Sequence, residues 1–179
     1  MNTLKKIFVI SGRSQAGKDT TADYIKDYYK DLKTIKLQFS SYIKMYAKEI
    51  SNWDQKENDK PRELLQDLGE QIRMNVDKFF FINRIVEDIK VYQDYFDIVT
   101  ICDARLPDEL DTIKNEFNNV YKIHIIRPNH NPYNTLKEQN HPTEHALDNY
   151  QDYDYIIYND GSLEDLKSKI FNILEEMND

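Results

Sequence analysis

Lys5-Lys6-Ile7-Phe8-Val9-Ile10-Ser11-Gly12-Arg13-Ser14-Gln15-Ala16-Gly17-Lys18-Asp19-Thr20 decides how this chain folds. Its first half is a short, nearly continuous apolar run, the pattern of a strand buried on both faces of a parallel sheet. Its second half matches G-x-x-x-x-G-K between that strand and a helix. Glycines there let main-chain N–H groups turn inward around a phosphate, the lysine reaches the terminal phosphoryl oxygens, and the helix N-terminus adds a favourable dipole. Gly12, Ser14, Ala16, Gly17, Lys18, Asp19 and Thr20 are therefore the expected triphosphate contacts. Asp19 stands where Ser or Thr usually holds Mg²⁺, so either Asp19 joins the ligand shell or Thr20 or Thr21 takes over.

Downstream, strands and helices alternate. The spacing predicts a helix over 19–32, a strand over 34–40, a helix over 41–50 and a polar loop over 52–60. Pro61 then opens a helix carrying Leu64, Leu65, Leu68 and Ile72, and a further helix carries Phe79 to Ile89. A third strand runs from Asp97 to Cys102 and stops at Asp103. A helix follows from Pro107, a fourth strand over 120–126, a polar excursion over 128–150, a fifth strand over 153–158, and a last helix with a capping box at Ser162 and Asp165. This order predicts an α/β fold with a five-stranded parallel sheet covered on both faces. Ligands of such sheets bind beyond the carboxyl ends of the strands. Gly12 to Asp19, Asp103 to Arg105, Arg127 and Asn159 to Gly161 all fall at those ends.

Composition narrows the class. The chain has 179 residues, 24 Lys+Arg against 32 Asp+Glu, a formal charge of -8 and 40% apolar residues. That length and balance predict one domain, and argue against a partner made of nucleic-acid backbone or anionic membrane. No apolar stretch approaches the roughly 20 residues of a membrane helix, and the start lacks a signal-peptide pattern, so a cytoplasmic protein is expected. Monomer and homodimer both stay open. The single cysteine, Cys102, excludes an internal disulfide and reads as an inert strand residue.

Arginine is sparse, and arginine suits bidentate grips on phosphate. Asp103 is placed to orient Mg²⁺ or its waters, or to accept hydrogen bonds from an acceptor phosphate, and Arg105 to grip a phosphate. Arg62 and Arg73, in the helical segment after the second strand, suit an anionic acceptor. Arg84 reads as a solvated helix charge. Phe79-Phe80-Phe81 offers either core or a flat wall for a base. Arg127, at the root of the excursion, reads as a cation folding over the transferring group or as a strand-end charge. His141, Glu144 and His145 lack the spacing of a zinc site and read as polar contacts of the excursion.

The loop from Ser11 to Ile25 resembles the opening of phage-type deoxynucleoside monophosphate kinases, including the Asp after the Lys. Further segments match in order: Arg62 with Leu64 to Gly69; Asn75-Val76-Asp77; Asp103-Ala104-Arg105 with Asp108-Glu109; Ile123 to Pro128; His141 with Thr143-Glu144; and Asn159 to Leu166. The resemblance implies a three-layer P-loop kinase fold that moves the γ-phosphoryl of ATP, with Mg²⁺, to a nucleoside monophosphate. It implies a core over 1–40, 94–127 and 151–179, a helical acceptor-binding insert over 41–93 and a lid over 128–150. Lys18, Asp103, Arg105 and Arg127 would then be catalytic, with Asp19 and Thr20 at the metal. Arg13, Arg62, Gly69, Arg73, Phe81, Asp103, Arg105, Glu109 and Glu144 would face the acceptor, and Asn159, Asp160 and Gly161 the adenine. The chain departs from the phage pattern at Ser14, where a basic residue is usual; Arg13, just before it, is the expected substitute. The insert is also shorter. Animal-type phosphomevalonate kinases are similar in the G-K-D loop and the Asp-x-Arg, and a nucleotide-binding sensor without transfer activity is the alternative of another class.

Overall fold

The computed structural model describes residues 4–51, 53, 59–133 and 136–177, with only the backbone described at 59–62, 137 and 138. In chain order the elements are β1 (Lys6–Ser11), α1 (Lys18–Tyr28), β2 (Thr34–Leu37), α2 (Ser40–Ser51), α3 (Asp59–Asn75) and α4 (Phe80–Tyr92). They continue as β3 (Ile98–Ala104), α5 (Pro107–Glu116), β4 (Val120–Ile126), α6 (Leu136–Gln139), α7 (Pro142–His145), β5 (Tyr155–Tyr158) and α8 (Leu163–Glu176). The strands form one sheet in the order β2-β3-β1-β4-β5, and every neighbouring pair is parallel.

The apolar run at the start explains the three layers. Ile7, Phe8, Val9 and Ile10 have no exposed surface, and successive side chains of a strand point to opposite faces. Phe8 and Ile10 join Ala22 and Ile25 of α1 with Leu166, Ile170 and Leu174 of α8. Ile7 and Val9 join Ile82, Ile85 and Ile89 of α4 with Leu110 and Ile113 of α5. Each large side chain so enclosed contributes roughly 1.5–3 kcal/mol relative to exposure. The central strand thus serves two cores, which is why its sequence shows no polar alternation.

Several boundaries differ from the sequence expectation. The third strand does not stop at Asp103 but runs to Ala104, because its register against β1 slips: Val9 faces Ile101, whereas Ser11 faces Ala104. One extra residue on β3 makes a bulge, and bulges re-aim the side chains they carry. α3 begins at Asp59, two residues ahead of Pro61, and most of the expected loop over 52–60 lies outside the described residues. The excursion after β4 contains two one-turn helices, α6 and α7. β5 starts at Tyr155, two residues later than expected, since Tyr153 is taken up by stacking on His124 with ring centroids 4.5 Å apart. Among the described residues no helix is long and apolar enough to cross a membrane.

Candidate active site

Between β1 and α1 the chain makes a tight cradle whose shape is set by two glycines. Gly12 has φ +141, and a Cβ there would lie 2.4 Å from the carbonyl oxygen of Ile125 on β4. Gly17 has φ +110, and a Cβ there would lie 2.8 Å from Asn159 Nδ2. Both positions therefore exclude a side chain on conformation and on space. Gln15 also takes a left-handed φ of 55. Asn159, from the end of β5, donates its side-chain amide to the Ala16 carbonyl at 2.9 Å. Its own N–H donates to Ile126 at 2.7 Å.

Lys18 is buried and turned into this cradle, donating to the carbonyls of Gly12 and Arg13, each at 2.8 Å. Burial, with the nearby Arg105 charge, lowers its pKa to about 8. Asp19 is exposed and leans toward the tips of β2 and β3, within 3.3 Å of Cys102 Sγ and 3.4 Å of Gln38 Nε2. Lys18, Asp19, Thr20, Arg127, Asn159 and Gly161 line a cleft of about 320 Å³. Arg127 donates to the Gln15 carbonyl at 3.2 Å, so it already lies across the cradle. Asp160, expected at the adenine, turns instead to Lys169 at 2.7 Å, and is absent from the residues lining that cleft. Gly161 lies against the start of α8, where a Cβ would lie 2.5 Å from Asp165 Oδ2.

A magnesium ion fits the donors present. Asp19 and Thr20 supply oxygen beside Lys18, and Mg²⁺ binds through one or two such side chains together with phosphates and water. Among the described residues no group of three or more His, Cys, Asp or Glu could hold a metal ion by itself.

The second wall of the site is built at the end of β3. The bulge aims Asp103 at the start of α2, where its two carboxylate oxygens accept the N–H groups of Phe39 and Ser40, both at 2.9 Å. Asp103 thus holds the β2–α2 junction, a role its position at a strand end did not announce. Arg105 pairs with Glu144 of α7, and Glu144, which is buried, also accepts from Tyr133 at 2.6 Å. Glu109 accepts the N–H groups of Arg105 and Leu106 at 2.7 and 3.0 Å. Its full burial pushes its carboxyl up to about 7 despite those bonds.

Arg73 of α3 lies 6.0 Å from the ring of Phe81, which is buried. It passes so close to Gly69 that a Cβ there would lie 3.3 Å from the guanidinium. Gly69, Arg73, Phe81, Arg105 and Glu109 are thereby assembled from α3, α4, the β3 end and α5. The Arg62 side chain lies outside the described residues. Arg84 stays outside the site, paired with Glu87 at 3.0 Å. Arg13 meets Asp148 at 3.1 Å, and Asp148 also meets His145 at 2.9 Å.

A larger cleft, of about 630 Å³, opens between the cradle and the excursion; Arg13, Ser14, Arg105, Arg127, Glu144 and Asp148 line it. Its floor contains His124 and Tyr153, which the sequence reading left out. His124 Nδ1 lies 2.8 Å from Ser11 Oγ. Burial, then the charges of Lys18 and Arg13, lowers its pKa to about 4, so it is a neutral ring. A histidine between Ile123 and Ile125 in a buried strand was the signal available. Cys102 is buried, and its thiol is pushed up to about 12 by that burial, which makes it inert.

Residues 36–170 match the family model for deoxynucleotide monophosphate kinase. The chain belongs to that family. Among its relatives are the deoxynucleotide monophosphate kinases of Enterobacteria phage T4 and Escherichia phage RB69. The first is 33% identical over 116 residues, covering 64% of this chain and 45% of the relative. The second is 33% identical over 118 residues, covering 63% and 44%. The chain thus spans about half the length of the curated relatives it matches. In fold it is similar to a Mycobacterium tuberculosis APS kinase, with a TM-score of 0.54 at 13% identity over 96% of this chain and 98% of the other. A sugar kinase from Janibacter sp. HTCC2649 gives 0.60 at 13% identity, covering 96% and 95%. These likenesses show that the chain shares the fold of those kinases.

Proposed function

We propose that this chain transfers the γ-phosphoryl group of ATP to the 5′-phosphate of a deoxynucleoside monophosphate, giving the diphosphate. The observation that carries this reading is that Arg105 and Arg127 line one cleft together with Gly12 and Arg13 of the cradle, with Lys18 close enough to Arg105 for the two charges to act on each other. Arg127 lies across the cradle at the Gln15 carbonyl, and Arg73 lies 6.0 Å from the ring of Phe81. Transfer between two anions needs such an arrangement, because the chemistry is mostly positioning and charge neutralisation.

In this reading the polyphosphate takes the N–H groups of 12–18 and draws Lys18 Nζ away from the carbonyls of Gly12 and Arg13. Asn159 keeps the loop in shape, and Gly161 lines the nucleotide end. Arg127 follows the transferring group. The acceptor phosphate takes the place that the Glu144 carboxylate holds on Arg105, with Arg62, Arg73 and Arg13 adding charge, and the base lies toward Gly69 and Phe81. Asp103 is a positioning residue: it fixes the start of α2 relative to β3. Asp19 or Thr20 would hold magnesium together with ATP, and the ion would supply charge neutralisation there. No side-chain base is needed, since the acceptor is already an anion.

We further propose the partition into a core (1–40, 94–127, 151–179), an acceptor-binding insert (41–93) and a lid (128–150). The test is a panel of acceptors with labelled ATP: the four deoxynucleoside monophosphates, their ribose forms and phosphomevalonate. Transfer to at least one deoxynucleotide is expected. Transfer to phosphomevalonate alone, or slow hydrolysis with no acceptor, overturns the reading.

A further inference from the structure

His141 stands immediately before α7 and is only 7% exposed. Its Nδ1 accepts the Thr143 N–H at 3.3 Å and lies 2.8 Å from Thr143 Oγ1. A ring nitrogen that accepts from an amide carries its lone pair, so in the neutral ring the proton sits on Nε2. Burial lowers the pKa of this histidine, which favours that neutral form. Nε2 is enclosed and has no hydrogen-bond partner; Glu70 Oε2 lies 3.9 Å away, beyond bonding reach.

A complementary group lies on the helix whose Glu70 stands nearest His141. Gln66 Oε1 is likewise enclosed and without a partner. Gln66, Glu70 and Arg73 are four and three residues apart on α3, so they form one face of that helix, and it is the face that meets His141 through Glu70. A buried donor and a buried acceptor left unsatisfied are costly, and each such group in a folded protein calls for an explanation. Gln66 lies one turn from Gly69 on α3, and Arg73 is close enough to His141 for its charge to act on the ring.

We infer that His141 and Gln66 read the base of the acceptor nucleotide, the imidazole Nε2–H donating to a carbonyl or ring nitrogen on the base edge and the amide oxygen accepting from a ring or amino N–H. This rests on the monophosphate kinase reading and deepens it. Nucleobases carry donors and acceptors at fixed positions along their edges. A phosphate acceptor without a base leaves both protein groups orphaned. Sites built to bond a polar edge reject analogues lacking it far more strongly than apolar pockets do.

The test compares kcat and KM for the four deoxynucleoside monophosphates and for 2-deoxyribose 5-phosphate in wild type, His141→Asn and Gln66→Met. Asparagine can still cap α7 but is too short to place a donor where Nε2 sits. The expected result is a rise in KM and a loss of about ten-fold or more in kcat/KM for the preferred nucleotide. Ratios between bases should compress, with ATP affinity and any turnover of the base-free phosphate unchanged and the Gln66→Met melting temperature no lower than that of wild type, since an unsatisfied buried oxygen is removed. As a measurement that needs no variant, the wild type should discriminate strongly against a monophosphate whose base is unsubstituted purine. Unchanged ratios in folded variants, an equal loss on every acceptor, or indifference to the stripped base overturns the inference while leaving the kinase reading intact. A wild type that phosphorylates none of the nucleotides overturns both, and that arm is read before the variants are compared.

Discussion

Asn159 and Ala16, far apart in sequence, are joined by a hydrogen bond of 2.9 Å from the asparagine amide to the alanine carbonyl. The same amide nitrogen fills the space that a Cβ on Gly17 would need. The end of β5 therefore fixes the shape of the phosphate cradle. Asn159→Ala is expected to lower stability by about 1 kcal/mol, the usual net worth of such a bond, and to weaken ATP binding several-fold. Asp160→Ala, which loses only an exposed pair with Lys169, should leave ATP binding within about two-fold. Thermal melts with and without ATP check both; equal effects of the two substitutions would refute the assignment.

Lys18 makes a pH-dependent prediction. Its folded pKa of about 8 lies below its ordinary 10.5, so the fold disfavours its charged form. That penalty is in full force below pH 8 and is relieved as pH rises from 8 to 10.5, where the unfolded chain holds more protons than the folded one. Binding a polyphosphate needs the charged form, so ATP affinity should fall toward ten-fold per pH unit above about 8. Calorimetry at pH 8.5 in buffers of different ionisation enthalpy should register proton uptake on binding. Lys18→Ala should cost about 10²–10³-fold or more in turnover with the fold intact, and should abolish that uptake.

Arg105 and Glu144 form a pair with one member buried and the other a third exposed. Breaking a buried pair costs about 3–5 kcal/mol, and exposure of Arg105 reduces this. A double-mutant cycle with Arg105→Ala and Glu144→Ala should return a coupling of roughly 1–3 kcal/mol. Protease cleavage within 128–150 should speed up in either single variant. A coupling near zero would show that the two side chains do not hold each other.

Glu109 makes stability depend on pH in the opposite sense to a carboxylate whose pKa is lowered by folding. Its folded pKa of about 7 lies above its ordinary 4.5, so the folded chain keeps the proton longer. Its contribution to stability is therefore greatest below pH 4.5 and is lost as pH rises to 7. Glu109→Gln keeps an oxygen for the N–H groups of Arg105 and Leu106. It should flatten the stability profile between pH 4.5 and 7 and make the protein more stable than wild type at pH 8. Urea titrations at several pH values decide it; parallel profiles would count against the assignment.

Much of this was legible in the chain itself. Ile7 to Ile10 announced a strand buried on both sides, and the spacing of Gly12, Gly17 and Lys18 announced the cradle, because both are local patterns. What stayed hidden depends on pairing across long separations. The bulge that sends Asp103 to the amides of Phe39 and Ser40 arises only when β3 is laid against β1. Glu144 finds Arg105 across 39 residues, and no spacing rule reports that. The resemblance places Asp160 at the adenine, yet its carboxylate is held at 2.7 Å by Lys169 of the following helix, a pairing that no motif reports.

The returning end of the excursion is tied to the sheet through a buried charge. Lys122 is buried in β4 and pairs with Asp152, while Tyr150 donates to Asp111 of α5 and lies 2.7 Å from Lys122 Nζ. A buried ammonium cannot release such partners without a large desolvation penalty. The returning end of the segment is thus riveted to the sheet by a buried charge, whereas Arg127 at its departing end donates to the Gln15 carbonyl from an exposed position. In the proposed reading of 128–150 as a lid, the cover would hang like a door on one jamb, with Tyr150 on the hinge side and Arg127 at the edge that swings.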